Sequence, residues 1–456
     1  MSDIQQLDPL KTYNYLYRFE VEFYVPNKDI SILPMKILYA VKDSTYLTNF
    51  MPTLKMEMLI NTRDTFILKK YQDEVLSKIT LVSYKYNTRS PMGENAAASG
   101  ELVDTKIEFS EVFEPIFDKS TFPAHLREEE HEDDRLYAED PKVANIATET
   151  MHRNIMCNFF NLRGITLNKG LFNAVLADTS VGSTILFILS NSGVKRAIID
   201  PPTNTSEYTN IIVPPHNLRS SIEELQARYG IYENGVLIFY DFNTLYILDR
   251  FAQSHEFEKG DSMRSIIQVY EADINPQLIL DIFEDKDNTL IYDATILLER
   301  FDSSIASGEI EGNSFMFSNY KMGVNSVIFE NGQFKANEAA PAASVLLRDT
   351  DTHKSSGEKT ILDYDELSNP YNMASYFNAT ETLKNQYHFS LAGVNIQSFK
   401  PNKFIQLRFE NVTKNKTFGG SYTMLRNILS FEPANETSSD LICNADIHMA
   451  KRNKPT

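Results

Sequence analysis

LADTSVGSTILFILSNSGVKRAIID (176–200), PPTNTSEYTNIIVPPHNLRSSIEEL (201–225) and QARYGIYENGVLIFYDFNTLYILDR (226–250) form the stretch from which the fold is read. Asp178-Thr179-Ser180 supplies side-chain oxygens suited to capping the free N–H groups of a helix start. Val181, Ile185, Ile188 and Leu189 then recur at helical spacing, and Gly193 stands where a helix end often needs a positive φ. The apolar run Ala197-Ile198-Ile199 is halted by Pro201-Pro202, which lack the N–H a ladder needs. The spacing predicts a second helix over 218–229, capped by Asn217, with Leu218, Ile222 and Leu225 buried and Gly230 ending it. From Ile231 the period changes to that of strands. Ile231-Tyr232 and the run 236–240 flank Asn234-Gly235, a pair suited to a type I′ hairpin turn. Asp241-Phe242-Asn243 then turns the chain into 244–248. The expectation is an α+β unit with a three-stranded meander, and nothing in it has the pattern of a catalytic site.

On the N-terminal side, 16–117 reads mostly as strand. The runs 17–23, 54–60, 79–84 and 103–109 alternate apolar with polar residues, as half-buried strands do. Four or more such strands argue a barrel or sandwich. Residues 91–100 read as a small polar loop. The charge run Arg127-Glu128-Glu129-Glu130-His131-Glu132-Asp133-Asp134 has no apolar stripe and reads as a solvated connection. His125 and His131 are six apart and would not share a helix face, so no metal site is assigned there. Residues 144–160 are expected to be a helix leading into the α+β unit.

On the C-terminal side strand character returns at 265–270, 291–298 and 313–334. Asp285-Lys286-Asp287-Asn288 has calcium-loop composition without the glycine at loop position six, and reads as an acidic turn. Residues 337–368 are polar and Ala-rich, a long excursion, and 372–386 are a candidate helix. Strands are expected again at 387–393, 404–409, 419–425 and 441–449. Glycine weakens a strand, so Gly419-Gly420 points to a bulge or a close backbone approach, with Tyr422 turned inward.

At 456 residues the chain is too long for one ordinary core and should hold two to four domains. No apolar run reaches the length of a membrane helix, and the first residues lack a basic, apolar signal region. The net charge of −18 opposes general nucleic-acid binding, which needs concentrated Lys and Arg. Cys157 and Cys443 have no metal-ligand spacing and suggest a reducing assembly compartment. Nucleophile elbows, phosphate loops and zinc-binding helix motifs are all missing from the sequence. His216, after Pro214-Pro215, reads as a packed loop histidine. No catalytic, cofactor-binding or metal residues are assigned, and the chain is expected not to be an enzyme.

Two stretches resemble the baseplate and tail hub proteins of contractile-tail phages and related injection machines. One is the unit already described: Thr184-Ile185-Leu186-Phe187-Ile188-Leu189 with Gly193, then Leu218 to Leu225, then the closing strands through Arg250. The other is C-terminal, where Phe399-Lys400-Pro401-Asn402-Lys403-Phe404 follows Gly393 and Gly419-Gly420-Ser421-Tyr422 resembles the family's Gly-x-Tyr hairpin strand. Pro401-Asn402 departs from the family's Pro-Gly-Asp-like turn in letter, not in turn chemistry.

The resemblance implies a mainly β fold of two tail-tube-like β-barrel domains with an inserted α+β module. The expected division is 1–125 for the first barrel, 126–175 for an acidic connection and helix, and 176–255 for the module. A second β-rich domain with a long loop follows over 256–370, then C-terminal barrel strands over 371–456. The implied function is a structural virion protein, a homotrimeric hub joining the hexameric tail tube to the central spike. Its implied partners are the tail tube protein and the central spike protein, with the tape measure protein and baseplate wedge proteins beside them. Specific nucleic-acid binding and a membrane segment are not expected. Its place would be the virion baseplate, after assembly in the host cytoplasm. The alternatives are another wedge or receptor-binding baseplate component, and a tail-tip cell-wall hydrolase.

Overall fold

The computed structural model describes residues 12–88, 101–118, 152–232, 234–250, 265–271, 289–292, 294–297, 314–319, 324–330, 333–336, 386–391, 393–408, 419–434 and 439–451. In chain order the first part holds β1 (Thr12–Tyr24), β2 (Ser31–Ile32), β3 (Lys36–Thr45), β4 (Thr53–Asn61), helix α1 (Thr62–Lys70), β5 (Leu76–Thr88), β6 (Glu101–Phe117) and β7 (His152–Asn161). Helix α2 (Leu162–Lys169), β8 (Phe172–Ser180), α3 (Val181–Ser192), β9 (Ala197–Ile199), β10 (Glu207–His216), α4 (Leu218–Arg228), β11 (Val236–Asp241) and β12 (Thr244–Asp249) follow. Beyond them lie β13 (Ser265–Glu271), β14 (Thr289–Tyr292), β15 (Ala294–Leu297), β16 (Ser314–Asn319), β17 (Val324–Glu330) and β18 (Gln333–Ala336). The chain closes with β19 (Gln386–Leu391), β20 (Lys403–Arg408), β21 (Gly420–Pro433) and β22 (Leu441–Lys451).

Eight strands form a closed antiparallel barrel in the order β21–β3–β4–β7–β6–β5–β1–β22, with β22 pairing back onto β21. Closure leaves this ring no free edge. Alternation along each strand explains the core. Tyr17, Phe19, Val21 and Phe23 of β1 are buried, as are Met56, Met58 and Ile60 of β4 and Ile155, Cys157 and Phe159 of β7.

The long strands β21 and β22 serve a second set of strands as well. At one end β21 pairs β3 over Arg426 to Phe431, and at the other it pairs β20 over Gly420 to Thr423. Likewise β22 meets β1 at Leu441 and β19 over Ala445 to Ala450. Strand β20 pairs β13 in parallel, and β13 pairs β14 in parallel. Strand β15, one residue beyond β14 in the chain, pairs β19. Strands β14 and β15, one residue apart in the chain, thus end the two sides of this second set. The fold is mainly β, as the resemblance implies: a closed eight-stranded barrel and a second strand set share the β21–β22 hairpin, and an α+β module is inserted in the chain between them. Strands β16, β17 and β18 form a separate antiparallel sheet.

The module has the two helices read from the sequence. The Ser180 side chain accepts from the Ser183 N–H, and Gly193 ends α3 at φ 73°. The Asn217 side chain accepts from the Ser220 N–H at the start of α4. The buried stripes are those expected, Val181, Ile185, Ile188 and Leu189 on α3 and Leu218, Ile222 and Leu225 on α4.

Two expectations are corrected. Residues 152–161 are strand, not helix: Ile155, Cys157 and Phe159 point one way between β4 and β6, and only the next eight residues turn helical. The three-stranded sheet is also composed differently, in the order β11–β12–β9, with β9 parallel to β12. Ile231 and Tyr232 are no strand because their backbone groups are taken. Both N–H groups donate to the buried Gln226 Oε1, at 3.1 and 3.0 Å, and the Ile231 carbonyl accepts from Thr203 and Asn204. The expected turn at Asp241-Phe242-Asn243 is present, with φ of 46° and 54° at Phe242 and Asn243, whereas Asn234-Gly235 joins no pair of strands. The expectations for 91–100, 127–134, 144–151, 285–288, 337–368 and 372–385 lie outside the described residues.

Candidate functional site: a buried ionic junction of module and barrel

The β11–β12 hairpin is buried on both faces. Leu237, Phe239, Tyr246 and Leu248 join the barrel core, while Val236, Ile238, Leu245 and Ile247 join the core of the module. A strand pair covered on both sides reads as a continuous apolar run, which 236–240 is. Further contacts fix the hairpin against the barrel. The Tyr240 N–H donates to the Phe50 carbonyl at 2.7 Å, and Tyr46 meets Phe239 edge-on with 4.9 Å between ring centres. Gly164 is a genuine close approach: a Cβ there would lie 2.7 Å from Met51 Sδ and 3.1 Å from a Tyr240 ring carbon.

The hairpin tip carries charge into this apolar setting. Asp241 Oδ2 accepts from Lys42 Nζ at 2.5 Å, and both side chains are less than a tenth exposed. Asp241 Oδ1 accepts the Phe242 N–H at 2.9 Å, which also stiffens the turn. The Lys42 and Lys400 ammonium groups lie 4.1 and 4.9 Å from the Phe242 ring centre, within cation–π range. Burial pushes the Lys400 amine down to about 8.

A second carboxylate faces the same point. Glu111, on β6 between Phe109 and Phe113, accepts from Asn161 Nδ2. Asn161 Oδ1 in turn accepts the Gly164 N–H at 2.9 Å and so caps α2, which orients its amide toward Glu111. Glu111 Oε1 is buried with no hydrogen-bond partner of normal geometry. Desolvation first, and then the negative charge of Asp241, push the Glu111 carboxyl up to about 7, against Lys42, Asn161 and the Asn243 N–H. A cavity of ≈ 20 Å³ separates these groups, walled by Leu54, Phe113 and Tyr240. That is room for about one water molecule. The arrangement can hold or release a proton near neutral pH. Neither Cys, Ser nor His stands in it to serve as a nucleophile.

The residues singled out from sequence lie elsewhere. His216 ends β10, where its carbonyl accepts from Ser221 Oγ. Cys157 and Cys443 are buried free thiols. Tyr422 is 1% exposed and packs edge-on against Tyr387 and Phe389, while Gly420 has φ 135°. The register shift of β21 falls between Met424 and Arg426, not at the glycines. His125, His131 and residues 285–288 lie outside the described residues. Among the described residues no cluster of three or more His, Cys, Asp or Glu could hold a metal ion, and no helix is long and apolar enough to cross a membrane. Sequence reasoning missed Lys42, Glu111, Asn161 and Asp241. The available signal was phase: Lys42 shares the buried side of β3 with Ala40 and Ser44, and Glu111 that of Phe109 and Phe113.

Solved structures of similar chain course include a tail protein from Neisseria meningitidis MC58, 8% identical, with 95% of this chain and 97% of that chain covered at a TM-score of 0.46. The 43 kDa tail protein of prophage MuSo2 from Shewanella oneidensis is 9% identical, covering 95% and 96% at 0.46. A type VI secretion component of E. coli is 7% identical, covering 95% and 77% at 0.38. A comparison with curated protein sequences finds no match. Matched over residues 11–447, the chain belongs to the family of the bacteriophage PBS1 gene 109 protein.

Proposed function

We propose that this phage-family protein is a structural component of the virion tail, and within it the trimeric hub between the hexameric tail tube and the central spike. The carrying observation is that one chain holds a closed eight-stranded barrel and a second strand set on the same β21–β22 hairpin, which this reading takes as the second barrel. Three copies would then present six barrels, a pseudo-sixfold ring on the tube side and a threefold one on the spike side. Closed rotational symmetry is the usual arrangement for such assemblies. The net charge of −18 suits a bore that DNA must pass without sticking. Residues 176–255 are the inserted module in this reading, and the partners are the tube and spike proteins, with tape measure and wedge proteins beside them. The role is structural and not enzymatic, played in the baseplate after assembly in the host cytoplasm.

Electron microscopy of the purified protein with its tube and spike partners tests this. A closed threefold ring seated on the tube is expected. Particles that stay monomeric with both partners present would remove the hub reading.

A further inference from the structure

At the module–barrel junction one lysine faces two carboxylates. The Lys42–Asp241 pair is complete: Asp241 accepts from Lys42 Nζ through one oxygen and from the Phe242 N–H through the other. Glu111 enters the same cavity with Oε1 buried and without a normal hydrogen bond. The other groups around it are the Asn161 amide at the end of β7, and Tyr240 with the Asn243 N–H on the hairpin. Lys400 reaches Phe242 from the segment before β20, and Lys106 and Glu108 pair at 3.4 Å on β6 itself. Among the described residues Lys42 is the one cation lining the cavity, and Lys400 lies against the ring of Phe242. An ionised Glu111 is therefore a surplus negative charge in a desolvated place.

The two carboxylates also belong to different bodies. Glu111 is part of the barrel, whereas Asp241 arrives on the module's hairpin. We infer that Glu111 is a proton-operated latch: seating the hairpin tip on the barrel takes one proton from solvent onto the Glu111 carboxylate. The proton supplies the positive charge that a second lysine would otherwise have to bring. The inference does not rest on the hub reading.

The direction agrees with the electrostatics. The carboxyl is raised from 4.5 to about 7 by burial and by Asp241. A raised acid contributes docking stability that is fully present below its free value and is lost as pH rises through the raised one. The hairpin is thus held more firmly at pH 6 than at pH 8.

Hydrogen exchange of the full-length protein, corrected for intrinsic rates, reads this in peptides covering 236–249. Protection in the wild type should fall by about tenfold from pH 6 to pH 8, the linkage expected for one group titrating between them. Glu111→Gln, which keeps an acceptor for Asn161 and carries no charge, should show no such fall. Glu111→Asp, which keeps the charge, should retain it. A wild-type hairpin whose protection does not change across this range overturns the proposal without any variant. So does a Glu111→Gln protein with the wild-type pH dependence.

Discussion

The Tyr17 hydroxyl donates to the Val394 carbonyl at 2.9 Å and accepts the Ile396 N–H at 3.1 Å, joining residues 377 and 379 positions apart. A single side chain of β1 thereby fixes the start of the short 3₁₀ turn Ile396–Phe399. Tyr46 and Asn427 hold the other end, both donating to the Phe399 carbonyl, at 3.1 and 3.2 Å. The segment between the second set's β19 and β20 is thus riveted to the first barrel at two points. Tyr17→Phe removes the donor and the acceptor together, leaving buried backbone groups without partners. It should cost about 1–3 kcal/mol in denaturant unfolding. Tyr46→Phe should cost less, because Asn427 still serves the Phe399 carbonyl.

Breaking the junction pair should be more damaging. Lys42→Met leaves Asp241 buried and uncompensated, at a cost of roughly 3–5 kcal/mol. Lys42→Met combined with Asp241→Leu should recover most of that loss, since an apolar pair of similar volume avoids the desolvation penalty. A double variant as unstable as the single one would show that the ion pair itself, and not the orphaned charge, sets the cost. Thermal unfolding of the three variants at one pH makes the comparison.

How much of this was legible depends on the range of the interactions. Helices α3 and α4 were readable because Ser180, Asn217 and their apolar stripes are all local signals. The runs within β1, β4, β5 and β6 were readable from alternation alone. Strand β7 was not, because what makes 152–161 a strand is its place between β4 and β6, contributed by residues about a hundred and about forty positions away along the chain. Ile231 and Tyr232 misled for a related reason: they have strand-like side chains, but the Gln226 side chain occupies their backbone donors. The junction is the extreme case. Lys42 and Asp241 are 199 positions apart, and only barrel closure and hairpin docking bring them together.

The two cysteines should be inert in the native protein. Burial pushes both the Cys157 and Cys443 thiols well up, and the thiolate is the reactive form. Labelling with a thiol reagent at pH 8 should proceed only as fast as the barrel opens, and both residues should label together. One site labelling rapidly while the other stays protected would mean that β7 and β22 do not belong to one cooperative unit.

The last test separates the two strand sets. Tyr422 pairs with Ile405 on β20 and with Lys451 on β22, in the end of β21 that serves the second set, while Arg426 to Phe431 pair with β3 of the first barrel. Its ring is fully buried against Tyr387 and Phe389, so Tyr422→Ala should cost about 3–5 kcal/mol, the range for a truncated core aromatic. Gly420 has φ 135°, a conformation that a β-branched residue strongly disfavours. Gly420→Val should therefore displace the start of β21 and loosen its pairing to Leu407. In both variants hydrogen exchange should rise in 403–408 and 420–424, while 53–61 and 152–161 stay protected and the module over 181–249 remains folded. If protection is lost equally in β4 and β7, the two sets unfold as one body, and the damage cannot be confined to one barrel. If neither variant changes exchange in β20, the pairing of β20 with β21 is not what holds this end of the chain.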